Sequence, residues 1–285
     1  MERALASIPR REDIQIIVVD DASSPDKVDF DKYPGLHDPA VKVVFTKEGG
    51  GAGYARNIGL GLAEGEWTLF MDSDDFFVPG FDTLADSHYD DDADIVFFNV
   101  TSVFSDTLTY SDRHRSRSVF FTDFSGSRRE FCCRYLYTEP WGKMFRTEFL
   151  RENDIRFDET PLANDFKFSV HSGLMAGNIV MDDRPLYCVT ERSGSLSNMF
   201  CSTEFQLQTR LSVYHEVQNI LDGAGVKSYP FYKLVNFIYR HRPQLVAPLE
   251  NFFDIHGMKT SGIKVKTLAL RVFFSRYHRH YWSIF

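Results

Sequence analysis

The chain has 285 residues, a formal net charge of −8 at pH 7, and 43% hydrophobic and 25% charged residues. This balance is typical of a folded globular protein and excludes a disordered chain. The N-terminus has no apolar run like that of a signal peptide, and no segment reaches the roughly 18 apolar residues of a membrane-spanning helix. Four cysteines without CxxC spacing predict reduced thiols in a cytoplasmic protein and disfavour a zinc site.

Strand and helix signals alternate in the first part of the chain. Runs rich in β-branched or aromatic residues predict four strands, and a stretch with helical spacing that ends in glycine predicts a helix between the second and third of them. The strands are 14–21, 41–46, 67–72 and 92–104, and the helix is 53–65. Strands separated by helices predict an α/β fold with a mostly parallel sheet flanked by helices.

The pattern changes in the second part of the chain. The predicted elements are helices at 141–153 and 164–177, a strand at 178–190 and a Ser/Gly-rich loop at 191–198. Helical patterns broken by proline and glycine follow from residue 202 onward. We therefore predict a domain at 1–200 and a helical, basic C-terminal extension at 201–285.

The charge is divided unevenly between these parts. Residues 223–285 contain ten Lys or Arg and two acids, whereas the rest of the chain contains 22 Lys or Arg and 38 acids. Basic and aromatic residues alternate over 259–285, which suits either an anionic membrane surface or the acidic body of the same chain. We expect a cytoplasmic protein. If residues 259–285 bind an anionic membrane, the protein would be peripheral on the inner membrane face. The acidic body disfavours nucleic acid as a partner.

The third predicted strand ends in three carboxylates, Asp72, Asp74 and Asp75. Unit charges about 4 Å apart cost on the order of 4 kcal/mol at an effective dielectric of about 20, so a positive partner is expected. Side chains two apart in an extended chain share a face, and carboxylates bind Mg²⁺ together with substrate phosphates. An isolated Asp-x-Asp is more often a solvated turn that caps the next helix, so the surrounding motifs decide.

Five further motifs accompany this one. They are VVDDASSPD at 18–26, GGGAGYARNIGL at 49–60, WGKMFRTEFL at 141–150, LANDFKF at 162–168 and ERSGSLS at 191–197. The glycine-rich motif fits neither the dinucleotide-binding nor the P-loop template. Together with FMDSDD, and in this order, the motifs resemble those of the family 2 glycosyltransferases of the GT-A fold over residues 1–198.

The resemblance implies a GT-A, nucleotide-diphospho-sugar transferase fold and a role for each matching residue. It assigns seven residues to the sugar-nucleotide donor: Asp21, Arg56, Asn57, Asp72, Trp141, Lys143 and Arg192. Among these, Asp21 would face the base and Asp72 would lie near the ribose. Asp72 and Asp74 would bind Mg²⁺ or Mn²⁺, and Asp165 would be the catalytic base.

The implied function is metal-dependent, inverting sugar transfer of the hexosyltransferase type. The donor would be a nucleoside-diphosphate sugar, a UDP-sugar first of all, and the acceptor a saccharide or a lipid-linked molecule in cell-surface polysaccharide synthesis. One carboxylate base without a second nucleophile favours in-line displacement. A non-catalytic, degenerate homologue that binds sugar nucleotide or a partner protein is the alternative. A nucleotidyltransferase is disfavoured because its N-terminal glycine-rich loop and lysine are absent. On its own, Asp165 also fits a helix-terminal acid favoured by the macrodipole.

The sequence also departs from the family pattern. The family's usual first strand, of the type V-S-V-I-I-P-V-Y-N, has no counterpart, and an interior strand that is missing would leave two sheet edges unpaired. We therefore expect a version extended upstream to be more stable and to bind donor more tightly. Gly49, Gly53 and Asn164 stand where the family carries Asn, Ser and Glu.

Overall fold

The computed structural model describes residues 1–192, 201–228 and 231–258. The chain divides into two compact units, Met1–Arg192 and Ser193–Phe285, and each is described by itself. The predicted domain boundary near residue 200 falls outside the described residues, as do the loop residues 193–198 and the basic aromatic segment 259–285. The predictions made for them stay predictions.

The first unit combines strands and helices in alternation. Its strands are Ile16–Asp20 (β1), Val41–Phe45 (β2), Trp67–Thr68 (β3), Phe76–Phe77 (β4), Ile95–Phe104 (β5), Lys143–Arg146 (β6) and Ile179–Glu191 (β7). Its α-helices are Glu2–Ala6 (α1), Gly51–Leu62 (α2), Phe81–Asp86 (α3), Arg115–Thr122 (α4), Gly126–Tyr135 (α5), Thr147–Glu152 (α6) and Phe166–Met175 (α7). The predicted α/β architecture is confirmed.

These strands form two sheets. β1 and β2 pair in parallel, and the other five strands have the order β3-β6-β5-β7-β4. The two longest ladders, β1–β2 and β5–β7, are parallel, whereas the short pairings β3–β6, β5–β6 and β4–β7 are antiparallel. Among the described residues no strand joins the two sheets. The higher stability and tighter donor binding expected of a chain extended upstream stay predictions.

Two sequence-based elements differ from the structure. Of the strand predicted at 67–72, only Trp67–Thr68 is a strand. The helix predicted at 141–153 is instead the strand β6 followed by the short helix α6. β6 lies between β3 and β5 in the sheet, and its first three residues are buried. A short apolar run fits a buried strand as well as a buried helix, and here pairing on both edges decides in favour of the strand.

A buried aromatic cluster in the first unit fixes the segments that carry the acidic motifs. Phe70, Phe145, Phe157 and Phe168 pack together, with the rings of Phe157 and Phe168 stacked 3.8 Å apart. Phe70 precedes the acids of the DSDD sequence by two residues, and Phe168 lies in the first turn of α7. Close-packed aromatic rings resist displacement, so both segments are held at fixed positions.

At Gly53, helix α2 packs closely against the backbone of Asp158. A Cβ atom at residue 53 would lie 2.0 Å from the Asp158 carbonyl oxygen and 3.1 Å from the Asn164 Cβ atom. Real Cβ atoms do not approach a backbone oxygen that closely. This contact gives a steric reason for glycine at a position where the family carries serine.

Replacing Gly53 by Ala is expected to lower the free energy of unfolding by about 1–3 kcal/mol, because the helix or the loop at Asp158 must move. Gly61 lies on the same helix, and a Cβ atom added there would have no other atom within 4 Å. Gly61→Ala should therefore leave stability unchanged or raise it by up to about 1 kcal/mol. Urea unfolding of the three proteins, followed by circular dichroism, makes the comparison. Equal midpoints for Gly53→Ala and wild type would contradict the steric argument.

The second unit is helical in its described part. Its helices are Glu204–Gly223 (α8), Tyr232–His241 (α9) and Val246–Ile255 (α10). The start of α8 is fixed by a capping box in which Thr203 and Gln206 bond to each other's backbone. Apolar side chains of the three helices are fully buried, among them Leu211, Leu234 and Leu249. None of the helices in the described part of the chain is both long and apolar enough to cross a membrane.

Candidate active site

The three acids of the DSDD sequence occupy two different environments. The Asp72 and Asp74 side chains keep 35% and 46% of their exposure, whereas Asp75 is 3% exposed. Burial, and then the negative charges of Asp72 and Asp74, raise the pKa of Asp75 to about 6. The segment between β3 and β4 therefore presents two carboxylates to solvent and directs the third into the protein.

Arg56 joins this acidic loop to the turn that precedes α7. Its guanidinium donates to Asp72 Oδ1 at 2.6 Å and to Asn164 Oδ1 at 2.9 Å, and it lies over the Phe157 ring at 5.4 Å. The planar fork of arginine suits two acceptors at once. Arg56 is thus the positive partner expected from the clustered acids, and it brings the regions of Asp72 and Asp165 together.

Asp165 stands immediately before α7, at the N-cap position, and its side chain makes no capping hydrogen bond. Burial, and then the negative charge of Glu139, raise the pKa of Asp165 to about 6, against the opposite effect of Arg56. A carboxylate with this pKa is mostly ionised at pH 7 and is more basic than an ordinary Asp. Its surroundings suit a general base, and that role stays a prediction.

Sequence reasoning missed the ion pair beside Asp165. Arg117 of α4 is buried and donates to both carboxylate oxygens of Glu139, through Nε to Oε2 and Nη2 to Oε1. Glu139 lies two residues before Trp141, just upstream of the motif at 141–150. Arg117 is 22 residues away in the chain, so no spacing rule links the two.

Lys143 lies in the interior of the protein. It is 1% exposed, its ammonium donates to the Tyr137 carbonyl oxygen at 2.6 Å, and it lies 4.6 Å from the Tyr137 ring centroid. Burial lowers the pKa of Lys143 to about 7. The structure thus does not bring Lys143 out to the exposed carboxylates, and its predicted contact with donor phosphates requires the side chain to move.

Trp141 is buried beside the acidic loop. Its ring stacks on the Tyr187 ring, with centroids 5.3 Å apart and planes 4° apart. The Tyr187 hydroxyl bonds to both Asp72 and Asp75. Trp141 therefore packs against the tyrosine that bonds to the acidic loop. A contact between Trp141 and the donor stays a prediction.

The glycine-rich motif is anchored by Asp21 and Asn57. The Asp21 carboxylate accepts hydrogen bonds from the backbone N–H groups of Gly50 and Gly51, at 2.9 and 2.6 Å. The Asn57 amide exchanges hydrogen bonds with the backbone N–H and carbonyl of Phe157. Asp21 therefore orders the start of α2, and Asn57 connects α2 to the segment at Phe157. The contacts predicted between these two side chains and the donor stay predictions.

Arg192 reaches the acidic loop from the end of β7. Its Nη2 atom lies 3.3 Å from Asp74 Oδ2, and both side chains are exposed. The rest of the serine- and glycine-rich motif, residues 193–197, falls outside the described chain. The structure therefore brings four predicted residues together through ion pairs: Arg56 with Asp72, and Arg192 with Asp74. Asp165 lies close enough to Glu139 and Arg56 for their charges to change its pKa.

Asp72 and Asp74 fit a cation that is shared with a substrate. One oxygen of each carboxylate, Asp72 Oδ2 and Asp74 Oδ1, accepts no hydrogen bond from the described residues. Across the described ranges, no group of three or more His, Cys, Asp or Glu side chains could hold a metal by itself. Mg²⁺ is commonly bound by one or two carboxylates together with waters and substrate phosphates, and these two acids match that donor set.

The charge of Glu139 predicts a measurable pH effect. Because Glu139 raises the pKa of Asp165, Glu139→Gln should lower that pKa, keep Asp165 ionised to lower pH, and shift the acidic limb of the activity profile to lower pH. The double variant Arg117→Gln/Glu139→Gln, which removes both members of this ion pair and so does not leave Arg117 without its partner, should shift it in the same direction. The measurement is kcat/KM for sugar transfer between pH 4.5 and 8. An unchanged acidic limb in both variants would contradict the assignment.

The chain is similar to known proteins in sequence and in overall structure. The sequence profile of "Glycosyl transferase family 2" matches residues 1–157. The poly(ribitol-phosphate) β-N-acetylglucosaminyltransferase TarS of Staphylococcus aureus is 28% identical over 251 residues, which are 84% of this chain and 40% of TarS. A poly(ribitol-phosphate) β-glucosyltransferase of Bacillus spizizenii is 26% identical over 275 residues, 94% of this chain and 39% of that enzyme.

The crystal structure of TarS residues 1–349 from Staphylococcus aureus in complex with UDP-GlcNAc superposes on this chain with a TM-score of 0.57. The sequence identity is 25%, and the match covers 84% of this chain and 67% of the TarS fragment. The chain thus spans about two fifths of the length of both curated relatives named above.

Proposed function

Since this chain belongs to glycosyl transferase family 2, we propose that it transfers a sugar from a nucleoside-diphosphate sugar to an acceptor in cell-surface polysaccharide synthesis. The observation that carries this proposal is the bridge made by Arg56, which joins Asp72 to Asn164, the residue beside the half-buried Asp165. The UDP-GlcNAc in the TarS structure favours a UDP-sugar as donor.

The donor side of the mechanism consists of Asp72, Asp74 and Arg192. The two carboxylates would hold Mg²⁺ or Mn²⁺, which supplies Lewis-acid stabilisation to a departing diphosphate when bound. On binding of the donor, Arg192 exchanges its contact with Asp74 for a phosphate oxygen, to which it donates charge-assisted hydrogen bonds. Arg56 keeps the Asp72 carboxylate oriented throughout, since it bonds one of its oxygens.

The acceptor side consists of Asp165 and the groups that set its pKa. Asp165 removes the proton from the acceptor hydroxyl as the oxygen attacks the anomeric carbon, and the diphosphate leaves from the opposite face. One base and no second nucleophile give inversion at that carbon. A pKa of about 6 leaves the base ionised at pH 7 while keeping proton transfer favourable.

The acceptor is proposed to be a surface polymer or its lipid-linked precursor. Both curated relatives named above act on poly(ribitol-phosphate), according to their names, which supports an extended polyol-phosphate or saccharide chain as the acceptor class. Peripheral attachment to an anionic membrane through residues 259–285 is a separate proposal. Cosedimentation with anionic vesicles, compared between the full chain and a chain ending at residue 258, tests it.

A second candidate function is a binding protein without catalysis. The burial of Lys143 and the occupied amide of Asn57 favour it, because both side chains are held by the protein instead of facing the donor. Such a protein would bind nucleotide sugar without releasing nucleoside diphosphate.

Turnover of a donor panel separates the two functions. Purified protein is incubated with UDP-, GDP- and dTDP-sugars and Mg²⁺ or Mn²⁺, and free nucleoside diphosphate is measured with and without chelator and with crude polymer acceptor. Release from at least one donor, abolished by chelator, is the expected result. A donor that raises the melting temperature but yields no release under any condition would support the binding protein.

A further inference from the structure

The third acid of the DSDD sequence has no role in the mechanism above, yet it is the most completely bonded of the three. Asp75 Oδ1 accepts from the Thr190 N–H at 2.7 Å and lies 3.1 Å from the Thr190 hydroxyl. Asp75 Oδ2 accepts from the Tyr187 hydroxyl at 2.9 Å. Taking a carboxylate out of water is costly, and well-placed partners at best offset that cost, so stability alone is a poor reason for this residue.

Both partners of Asp75 also contact the exposed part of the loop. The Tyr187 hydroxyl accepts a hydrogen bond from the Asp72 N–H at 3.0 Å, so its single proton is directed to Asp75. The Thr190 hydroxyl lies 3.0 Å from the Asp74 carbonyl oxygen. The carboxylate thereby orients two hydroxyls, and these two hydroxyls contact the backbone of the two exposed acids.

The same contacts also set the position of Arg192. Arg192 follows Thr190 by two residues and reaches Asp74 Oδ2 at 3.3 Å. Because Thr190 is fixed to Asp75 through its backbone N–H, the end of β7 is held against the acidic loop. The three groups that contact the donor in our mechanism, Asp72, Asp74 and Arg192, therefore share one buried anchor.

We propose that Asp75 is a positioning residue for donor binding, which fixes the Asp72–Asp74 loop to Tyr187 and Thr190 so that both exposed acids and Arg192 face one pyrophosphate. The inference rests on the proposed function, since it presupposes a nucleotide donor at these groups. In this proposal the Tyr187 hydroxyl connects Asp75 to the backbone of Asp72, so that Asp75 fixes the position of Asp72.

The test uses Tyr187→Phe, which keeps the ring stacked on Trp141 and removes only the hydroxyl. The hydroxyl makes hydrogen bonds with the Asp72 N–H and with Asp75. Loss of one bond worth about 0.5–1.5 kcal/mol corresponds to about 2- to 12-fold weaker UDP binding, and loss of both to a larger effect. Asp75→Asn should weaken UDP binding at least as much, because an amide cannot accept from both Thr190 and Tyr187 in the same arrangement. Titration calorimetry with UDP and Mn²⁺ measures both, and hydrogen exchange of the Asp72 amide gives a second readout without metal.

The matched control is Tyr239→Phe, which removes a tyrosine hydrogen bond to a carboxylate, that of Glu250, in the second unit. We expect it to lower stability by an amount similar to Tyr187→Phe while leaving UDP affinity and Asp72 exchange unchanged. If wild type binds UDP and Tyr187→Phe binds it equally with unchanged exchange at Asp72, the positioning role is overturned and the proposed function stands. If wild type binds no nucleotide at all, both are overturned.

Discussion

Asp165→Asn is expected to lower the rate of sugar transfer by about 100- to 10,000-fold, the usual contribution of a general base, while UDP affinity changes little. The amide has nearly the same size as the carboxyl and cannot accept a proton at neutral pH. Asp165 makes no capping hydrogen bond to α7, so the substitution removes no bond on which the helix depends. Initial rates with the active donor, together with UDP titration, give the two quantities.

The control for this variant is Asp154→Asn, which changes an exposed carboxylate paired with Arg156 on the surface. We expect its transfer rate to match wild type. A folded Asp165→Asn protein that still transfers sugar at a similar rate would remove Asp165 from the role of base. It would also revive the interpretation of this residue as a helix-terminal acid.

Arg56→Lys is expected to lower kcat/KM by about 10- to 100-fold, because an ammonium cannot hold two acceptors in the fork geometry of a guanidinium. A charge-assisted hydrogen bond contributes about 1.5–3 kcal/mol, and Arg56 donates one to Asp72. Loss of this contact should affect donor and acceptor sides together, so both donor KM and kcat should change. Steady-state kinetics with varied donor and fixed acceptor separates the two parameters.

Arg156→Lys supplies the matched control, since Arg156 pairs with Asp154 at an exposed position where such pairs contribute little. Its kinetics should equal those of wild type. If Arg56→Lys behaved like Arg156→Lys, the bridge between the acidic loop and the Asp165 region would have no functional importance. It would then no longer support the proposed function.

Much of the architecture follows from local sequence patterns. The β-branched runs and the helical spacing after the glycine-rich motif correctly predict β1, β2 and α2, and both the family and its GT-A fold are confirmed. The wrong helix at β6 arises from a short apolar run whose conformation is set by strands on either side of it, information that the run itself does not contain.

The candidate site is predictable only in part. The resemblance of the motifs to the family names Asp72, Asp74 and Arg56, and the structure joins two of them, since Arg56 donates to Asp72. The resemblance does not find Glu139 with Arg117, since their pairing depends on how α4 packs. Nor does it assign a role to Asp75, because the burial of this acid and its bonds to Tyr187 and Thr190 appear only in the folded structure. The interior position of Lys143 is likewise a property of the packed core.

The central claim is that the Asp72–Asp74 loop holds the pyrophosphate of a sugar nucleotide through a divalent cation. Titration calorimetry of UDP tests it in wild type, in Asp74→Asn and in Asp106→Asn, each with Mn²⁺ and with chelator. Asp106 is the control, an exposed loop acid that accepts a hydrogen bond from the neighbouring Thr107 N–H. We predict binding that requires Mn²⁺ in wild type and Asp106→Asn and that is lost in Asp74→Asn. Equal UDP affinity in all three proteins, unchanged by chelator, would contradict the claim.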